Sequence, residues 1–174
     1  MQYIQYYASP LGKILLAGDD RGLTGLWFEK QKYYAQSLGA DHEEKSTAVL
    51  EEAAEWLDIY FSGKDPGPFR KIHMIGTEFQ KSVWRVLLTI PYGKTMTYGE
   101  IAARLAEEKG LGHMSSRAVG GAVGHNKISV IIPCHRVIGS DGSLTGYAAG
   151  VDKKEAMLRL EHAWTDAMYI PGNG

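Results

Sequence analysis

Thr97-Tyr98-Gly99-Glu100-Ile101-Ala102 and, after a glycine-rich turn, Ser115-Ser116-Arg117-Ala118-Val119-Gly120-Gly121-Ala122-Val123 are the stretch that decides the fold. Thr97 is a helix cap, and Ile101, Ala102 and Leu105 recur at helical spacing up to about Glu108. Ser115 or Ser116 caps the next helix. Two short helices joined by a glycine-containing turn, Lys109-Gly110-Leu111-Gly112-His113-Met114, form a helix-turn-helix pattern. The second helix carries two adjacent glycines, which cost roughly 1 kcal/mol each relative to alanine. Either they allow tight helix–helix packing, or they keep a flat face open for a bulky ligand such as a nucleic-acid groove. Arg117 in the first turn adds to the positive end of the helix dipole and favours an anionic partner.

Working towards the N-terminus, Thr77 caps a helix through Phe79, Val83, Trp84 and Leu87 that stops before Pro91-Tyr92-Gly93. Ser62-Gly63-Lys64-Asp65-Pro66-Gly67-Pro68 is the best linker in the chain. It ends a helical pattern over Ser46–Phe61, with Leu50, Ala53, Ala54, Leu57 and Tyr60 on one face. Before that helix the first thirty residues alternate turn clusters with short apolar strands, Lys13–Ala17 and Leu23–Phe28, as a β-meander does. The expected architecture is α+β, with one domain over residues 1–75 and a mostly helical one over 76–174.

Towards the C-terminus, Ile128-Ser129-Val130-Ile131-Ile132 has the composition of a buried strand that Pro133 ends. Cys134-His135-Arg136 would then sit at a strand-to-loop junction. Cys134 is the only cysteine among 174 residues, which excludes an intramolecular disulfide and a multi-cysteine zinc site. A lone cysteine is commonly a small buried hydrophobe. Here an adjacent imidazole and guanidinium both favour the thiolate, which marks it as a nucleophile. Neighbouring side chains on an extended chain point apart, so a direct Cys134–His135 contact would need a turn or a bridging water.

The chain has net charge −1, yet residues 1–80 hold 8 Lys/Arg against 12 Asp/Glu, while 81–136 hold 8 against 3. The positive charge is thus concentrated in the segment leading to the cysteine, as a polyanion partner requires. No basic start followed by an apolar core opens the chain, and no apolar run reaches membrane-spanning length. A cytoplasmic protein is expected (nuclear in a eukaryote), with no membrane partner.

The run Ile132-Pro133-Cys134-His135-Arg136-Val137-Ile138-Gly139 resembles the active-site signature of the O6-alkylguanine-DNA alkyltransferases, or methylated-DNA–protein-cysteine methyltransferases. Gly76-Thr77-Glu78-Phe79-Gln80, Val83-Trp84, Ile90-Pro91-Tyr92-Gly93, the two helices above and Leu144-Thr145-Gly146-Tyr147-Ala148 resemble further family segments in family order. The resemblance is strong over about residues 76–162 and looser in the N-terminal meander. It implies a ribonuclease-H-like α/β N-terminal domain, a winged-helix-like C-terminal domain, minor-groove binding and a flipped-out base. Extrusion is required because the reacting carbon lies on the Watson–Crick edge of the base.

Residue by residue, the resemblance makes Cys134 the alkyl acceptor, His135 its base through a water, Glu161 the group that orients the imidazole, and Asn126 the hinge presenting the cysteine. Tyr98, Val137, Tyr147, Ala148 and Lys154 would line the substrate pocket, with the Ala148 N–H directed at the guanine O6. The backbone carbonyls of Cys134 and Val137 would accept from the guanine amino group. Arg117 would fill the space left by the extruded nucleotide, and Ser116, Ala118, Gly120, Gly121 and Arg136 would meet the DNA.

No cofactor or metal is expected, and a monomer acting once on double-stranded DNA containing alkylated guanine is. The chain departs from the pattern where Lys127 replaces a proline after Asn126, in a longer turn between the helices, and at Ala149, whose methyl would trim the pocket. Rival readings are a non-catalytic lesion-binding module, in which the acceptor cysteine is replaced, a helix-turn-helix transcription regulator, and a Cys–His hydrolase.

Overall fold

A computed structural model describes residues 1–172, which divide into two compact units. The first comprises Met1–Ile75 together with Lys127–Ile131; the second comprises Gly76–Asn126 and the residues from Ile132 onward. The α+β class read from the sequence is the observed one.

In the first unit, β1 (Gln2–Ser9), β2 (Gly12–Gly18) and β3 (Leu23–Phe28) form the expected antiparallel meander, and β4 (His42–Glu44) adds parallel to β1. The sheet order is β3-β2-β1-β4. Gly12, at φ 119°, makes the β1–β2 turn, which the Ser9 hydroxyl closes by donating to the Gly12 carbonyl. Ile14 to Gly18 are buried without interruption, the mark of a strand covered on both faces. One cover is α1 (Ala48–Phe61), capped by Thr47, with Leu50, Ala53, Leu57 and Tyr60 buried. Ile4, Leu15, Ala17 and Trp27 form a second cluster, closed by Ala35 and Leu38 from the following loop.

The outer edge of β3 is paired twice. Leu23 bridges to Ile72, and Leu26 bridges to Ile128 through Leu26 N–H to the Lys127 carbonyl (2.9 Å) and Ser129 N–H to the Leu26 carbonyl (3.0 Å). Residues 128–132 therefore do not form the expected strand. A single bridge at Ile128 is followed by a turn, in which Ile131 N–H donates to the Ser129 carbonyl at 2.8 Å around Val130 at φ 70°. That is a left-handed γ-turn, an uncommon and strained conformation for a β-branched residue. The apolar composition that suggested a strand reflects burial of these residues, which is complete or nearly so, and not a ladder.

The second unit contains α2 (Glu78–Leu87), α3 (Tyr98–Glu108), α4 (Ser116–Gly124) and α5 (Val151–Leu160), with β5 (Met96–Thr97) parallel to β6 (Val137–Ile138). Thr77 with Gln80 and Thr97 with Glu100 form capping boxes, satisfying the first helical N–H groups of α2 and α3. Ser115 caps α4. Trp84 Nε1 donates to the Ala122 carbonyl at 2.9 Å, tying α2 to α4 inside the core. Gly76 lies against the same indole: an added Cβ would stand 2.6 Å from its ring.

Candidate active site

The reactive segment begins where Pro133, at φ −82° and ψ 65°, makes an inverse γ-turn, with Cys134 N–H donating to the Ile132 carbonyl at 2.8 Å. Cys134–Arg136 then form one turn of 3-10 helix in place of the expected extended junction. Asn126, two residues past the end of α4, donates from Nδ2 to that same Ile132 carbonyl at 2.8 Å. Its side chain also reaches the Cys134 sulfur.

The three residues of this turn are buried. His135 Nε2 donates to Glu161 Oε2 at 2.6 Å, and Arg136 Nε donates to Glu161 Oε1 at 2.8 Å. The Gly93 N–H adds a third donor to Oε1 at 3.1 Å. Burial alone would raise the Glu161 pKa, but the hydrogen bonds from His135 and Arg136 and the charge of Arg136 outweigh it and hold the carboxylate ionised. Burial depresses the His135 pKa, so the imidazole is neutral, with its proton on the nitrogen that faces Glu161. Nδ1 is then the basic nitrogen.

Burial pushes the Cys134 thiol pKa up, with Asn126 and the Lys154 charge working against it. The resting group is a protonated thiol, protected from indiscriminate reaction until a base takes its proton. Lys154 is almost wholly buried and donates to the Thr145 carbonyl at 3.1 Å. Burial pulls its pKa down to about 8, with the cysteine's charge opposing. Tyr98 Oη donates to the same carbonyl at 3.3 Å, and burial followed by the nearby thiol pushes that phenol up to about 12. Tyr147 is buried with its hydroxyl in reach of the thiol. Val137 is buried beside Cys134, and Ala148 is half-buried in the loop before α5.

Ser116, Arg117, Ala118 and Gly121 are exposed together on α4, and Gly120 is half-buried. The two glycines are not there for internal packing. A Cβ on Gly121 would meet nothing within 4 Å, and one on Gly120 only the Tyr98 ring at an ordinary 3.9 Å. Arg136 departs from expectation. Its guanidinium, placed on the DNA side by the resemblance, is engaged inward by Glu161 and by the Ile90 carbonyl (Nη1, 2.7 Å). Its charge sustains the Glu161 carboxylate, not a phosphate contact. Lys127, which stands where the family pattern has a proline, is half-buried, and burial lowers its pKa.

Thr145 had no role in the sequence reading, because its contribution is a backbone carbonyl. The Gly93 N–H is of the same kind, and no side-chain pattern marks either. The inward role of Arg136 depends on the 3-10 turn, which puts positions 135 and 136 within reach of one carboxylate and which the expected extended junction did not contain.

Residues 78–163 match the family model described as 6-O-methylguanine DNA methyltransferase, DNA binding domain, and residues 2–74 match its ribonuclease-like domain. The chain belongs to the 6-O-methylguanine DNA methyltransferase family. A methylated-DNA–protein-cysteine methyltransferase of Methanosarcina barkeri is 49% identical over 159 residues, covering 91% of this chain and 96% of the relative. One from Mycobacterium tuberculosis is 42% identical over 153 residues, 88% of each chain. Among solved structures, Mycobacterium tuberculosis OGT in complex with DNA superposes with a TM-score of 0.77 at 40% identity, covering 92% of this chain and 93% of that one. A 6-O-methylguanine DNA methyltransferase from Methanococcus jannaschii gives 0.60 at 26% identity, covering 92% and 95%. As a member of the methyltransferase family, the chain shares this two-part architecture, and none of its described helices is long and apolar enough to cross a membrane.

Proposed function

We propose that this protein repairs DNA by transferring an alkyl group from O6 of a guanine to Cys134 Sγ. The observation that carries the reading is the Cys134–His135–Glu161 arrangement, a buried thiol on the same tight turn as an imidazole locked by a carboxylate. His135 Nδ1 takes the thiol proton, directly or through a water, and Glu161 stabilises the imidazolium that results. The thiolate attacks the alkyl carbon, the S–C bond forms as the C–O6 bond breaks, and the electron pair leaves on O6. A proton then neutralises the guanine. The product thioether has no group in the site able to cleave it, so each molecule acts once.

Lys154 stabilises the thiolate electrostatically, and Tyr98, Val137, Tyr147 and Ala148 enclose the extruded base. Asn126 holds the turn through the Ile132 carbonyl. Arg117 fills the gap in the stack, and the exposed Ser116, Ala118, Gly120 and Gly121 follow the groove. The small residues let the backbone approach closely, and the exposed arginine supplies the charge. The substrate is duplex DNA carrying alkylated guanine, bound by a cytoplasmic monomer without cofactor.

The test is the intact mass of the protein after mixing with a duplex that carries one O6-methylguanine. Wild type should gain a single methyl, stoichiometric and without turnover, and Cys134→Ala none. Tight lesion binding with no methyl on Cys134 would instead identify a non-catalytic lesion-binding protein.

A further inference from the structure

After α5 the chain doubles back over the loop that precedes the pocket. Leu144 N–H donates to the Tyr169 carbonyl at 2.8 Å, and Tyr169 N–H donates to the Gly142 carbonyl at 3.1 Å, making a parallel bridge at Ser143. Tyr169 Oη donates to Asp141 Oδ2 at 2.7 Å, while Asp141 Oδ1 accepts from the Ser143 N–H at 3.0 Å. Below this bridge Met168 is buried with Leu144, Leu158 and Ala163, against Ile138 and Trp164. Gly142, at φ 89°, lies so close that an added Cβ would stand 2.1 Å from the Ala167 carbonyl oxygen.

The residue after Leu144 is Thr145, whose carbonyl receives both Lys154 Nζ and Tyr98 Oη. Neither donor can be satisfied by a carbonyl that wanders, and both lie near enough to Cys134 to interact with its charge. The hydrogen bonds inside loop Gly139–Ala148, from the Gly139 N–H to the Ser143 carbonyl and from the Gly142 N–H to the Gly139 carbonyl (both 2.9 Å), end before Leu144 and do not determine where Thr145 lies. The segment packed on Leu144 does.

We propose that Ala163–Tyr169 is a positioning strap for alkyl transfer, with Met168 and Tyr169 holding Leu144 so that the Thr145 carbonyl keeps Lys154 and Tyr98 directed at the reacting sulfur. The proposal rests on the alkyl-transfer reading above. Met168 and Tyr169 touch neither thiol nor base; they act through Leu144 and Thr145. A misplacement of about 1 Å in such a site costs up to a hundredfold in rate.

The experiment uses the full chain with Met168→Asp, which puts a charge into the apolar cluster, Met168→Leu, which preserves the fill, and Tyr169→Phe, which removes only the Asp141 bond. Three readouts are taken: amide exchange at Leu144, the second-order rate of methyl transfer from a lesion duplex, and S-alkylation of Cys134 by iodoacetamide, which needs no pocket. The Asp variant should exchange Leu144 much faster and transfer methyl at least about tenfold more slowly, with iodoacetamide alkylation slowed by a smaller factor, set by the thiolate stabilisation that Lys154 supplies. Met168→Leu should restore transfer to within about threefold, and Tyr169→Phe should fall between. Unaltered exchange at Leu144 in the Asp variant would overturn the strap. Faster exchange with an unaltered transfer rate, or parallel losses in both Cys134 reactions, would overturn positioning. Failure of wild type to acquire methyl would overturn the transfer reading itself, and Leu144 exchange reports separately on whether the strap holds the loop.

Discussion

Gly121→Ala should make the protein more stable and a worse DNA binder. Gly121 lies inside α4, and an added Cβ has nothing within 4 Å to strike. Its φ is not in the left-handed region, so alanine adopts the same backbone. The change then removes unfolded-state freedom and restores helix propensity, worth about 0.5–1 kcal/mol. For a chain of this size that raises Tm by about 1–3 °C. The same methyl projects from the exposed side of α4 beside Ala118 and Arg117. If that face seats the groove, the methyl overpacks the contact and costs about 1–3 kcal/mol, roughly a 5- to 150-fold loss of duplex affinity. Thermal unfolding and fluorescence-anisotropy titration with an undamaged duplex measure the two effects side by side. A drop in Tm would show that Gly121 serves internal packing after all. An unchanged duplex affinity would remove α4 from the DNA interface.

Glu161→Gln should abolish the negative charge that compensates Arg136 and orients His135. Breaking a buried ion pair costs about 3–5 kcal/mol, and denaturant unfolding should show it together with a loss of methyl transfer. Lys154 supplies a pH signature, because its pKa is about 8 in the folded chain against an ordinary 10.5. Between those values the unfolded chain binds more protons, so this lysine adds stability as pH rises through the window and withholds it below about pH 8. The charge beside Cys134 is lost over the same rise, so the transfer rate should fall as pH passes about 8, and Lys154→Met should lack that alkaline limb. Trp84→Phe deletes the donor to the buried Ala122 carbonyl, and equilibrium unfolding should register a loss of about 1–3 kcal/mol.

Local chemistry explains what was legible in the chain. Thr77, Thr97 and Ser115 are caps because a short side-chain oxygen can reach the first free N–H groups, and that logic needs no tertiary information. Cys134 and His135 were legible because only one thiol exists and its neighbour is a base. Composition failed where burial and strand formation look alike. Ile128–Ile132 is apolar because it is enclosed, yet β3 already has its partners, and only Ile128 bridges to it. Arg136 misled because an arginine beside a DNA-repair signature suggests a phosphate, whereas Glu161 captures it from 25 residues away. The Tyr169 contacts and the β5–β6 pair depend on chain return and left no periodic signal.

The bridge between Leu26 and Ile128 joins positions about a hundred residues apart, and this matters while the chain is being made. At about 5–20 residues per second, β3 emerges and waits some 5–20 s with that edge open before its second partner is synthesised. Cys134 follows a few residues later. The ribosome therefore delivers the nucleophile only after the segment that closes the sheet edge, and a pause between codons 30 and 127 would prolong an exposed strand edge before any reactive thiol exists.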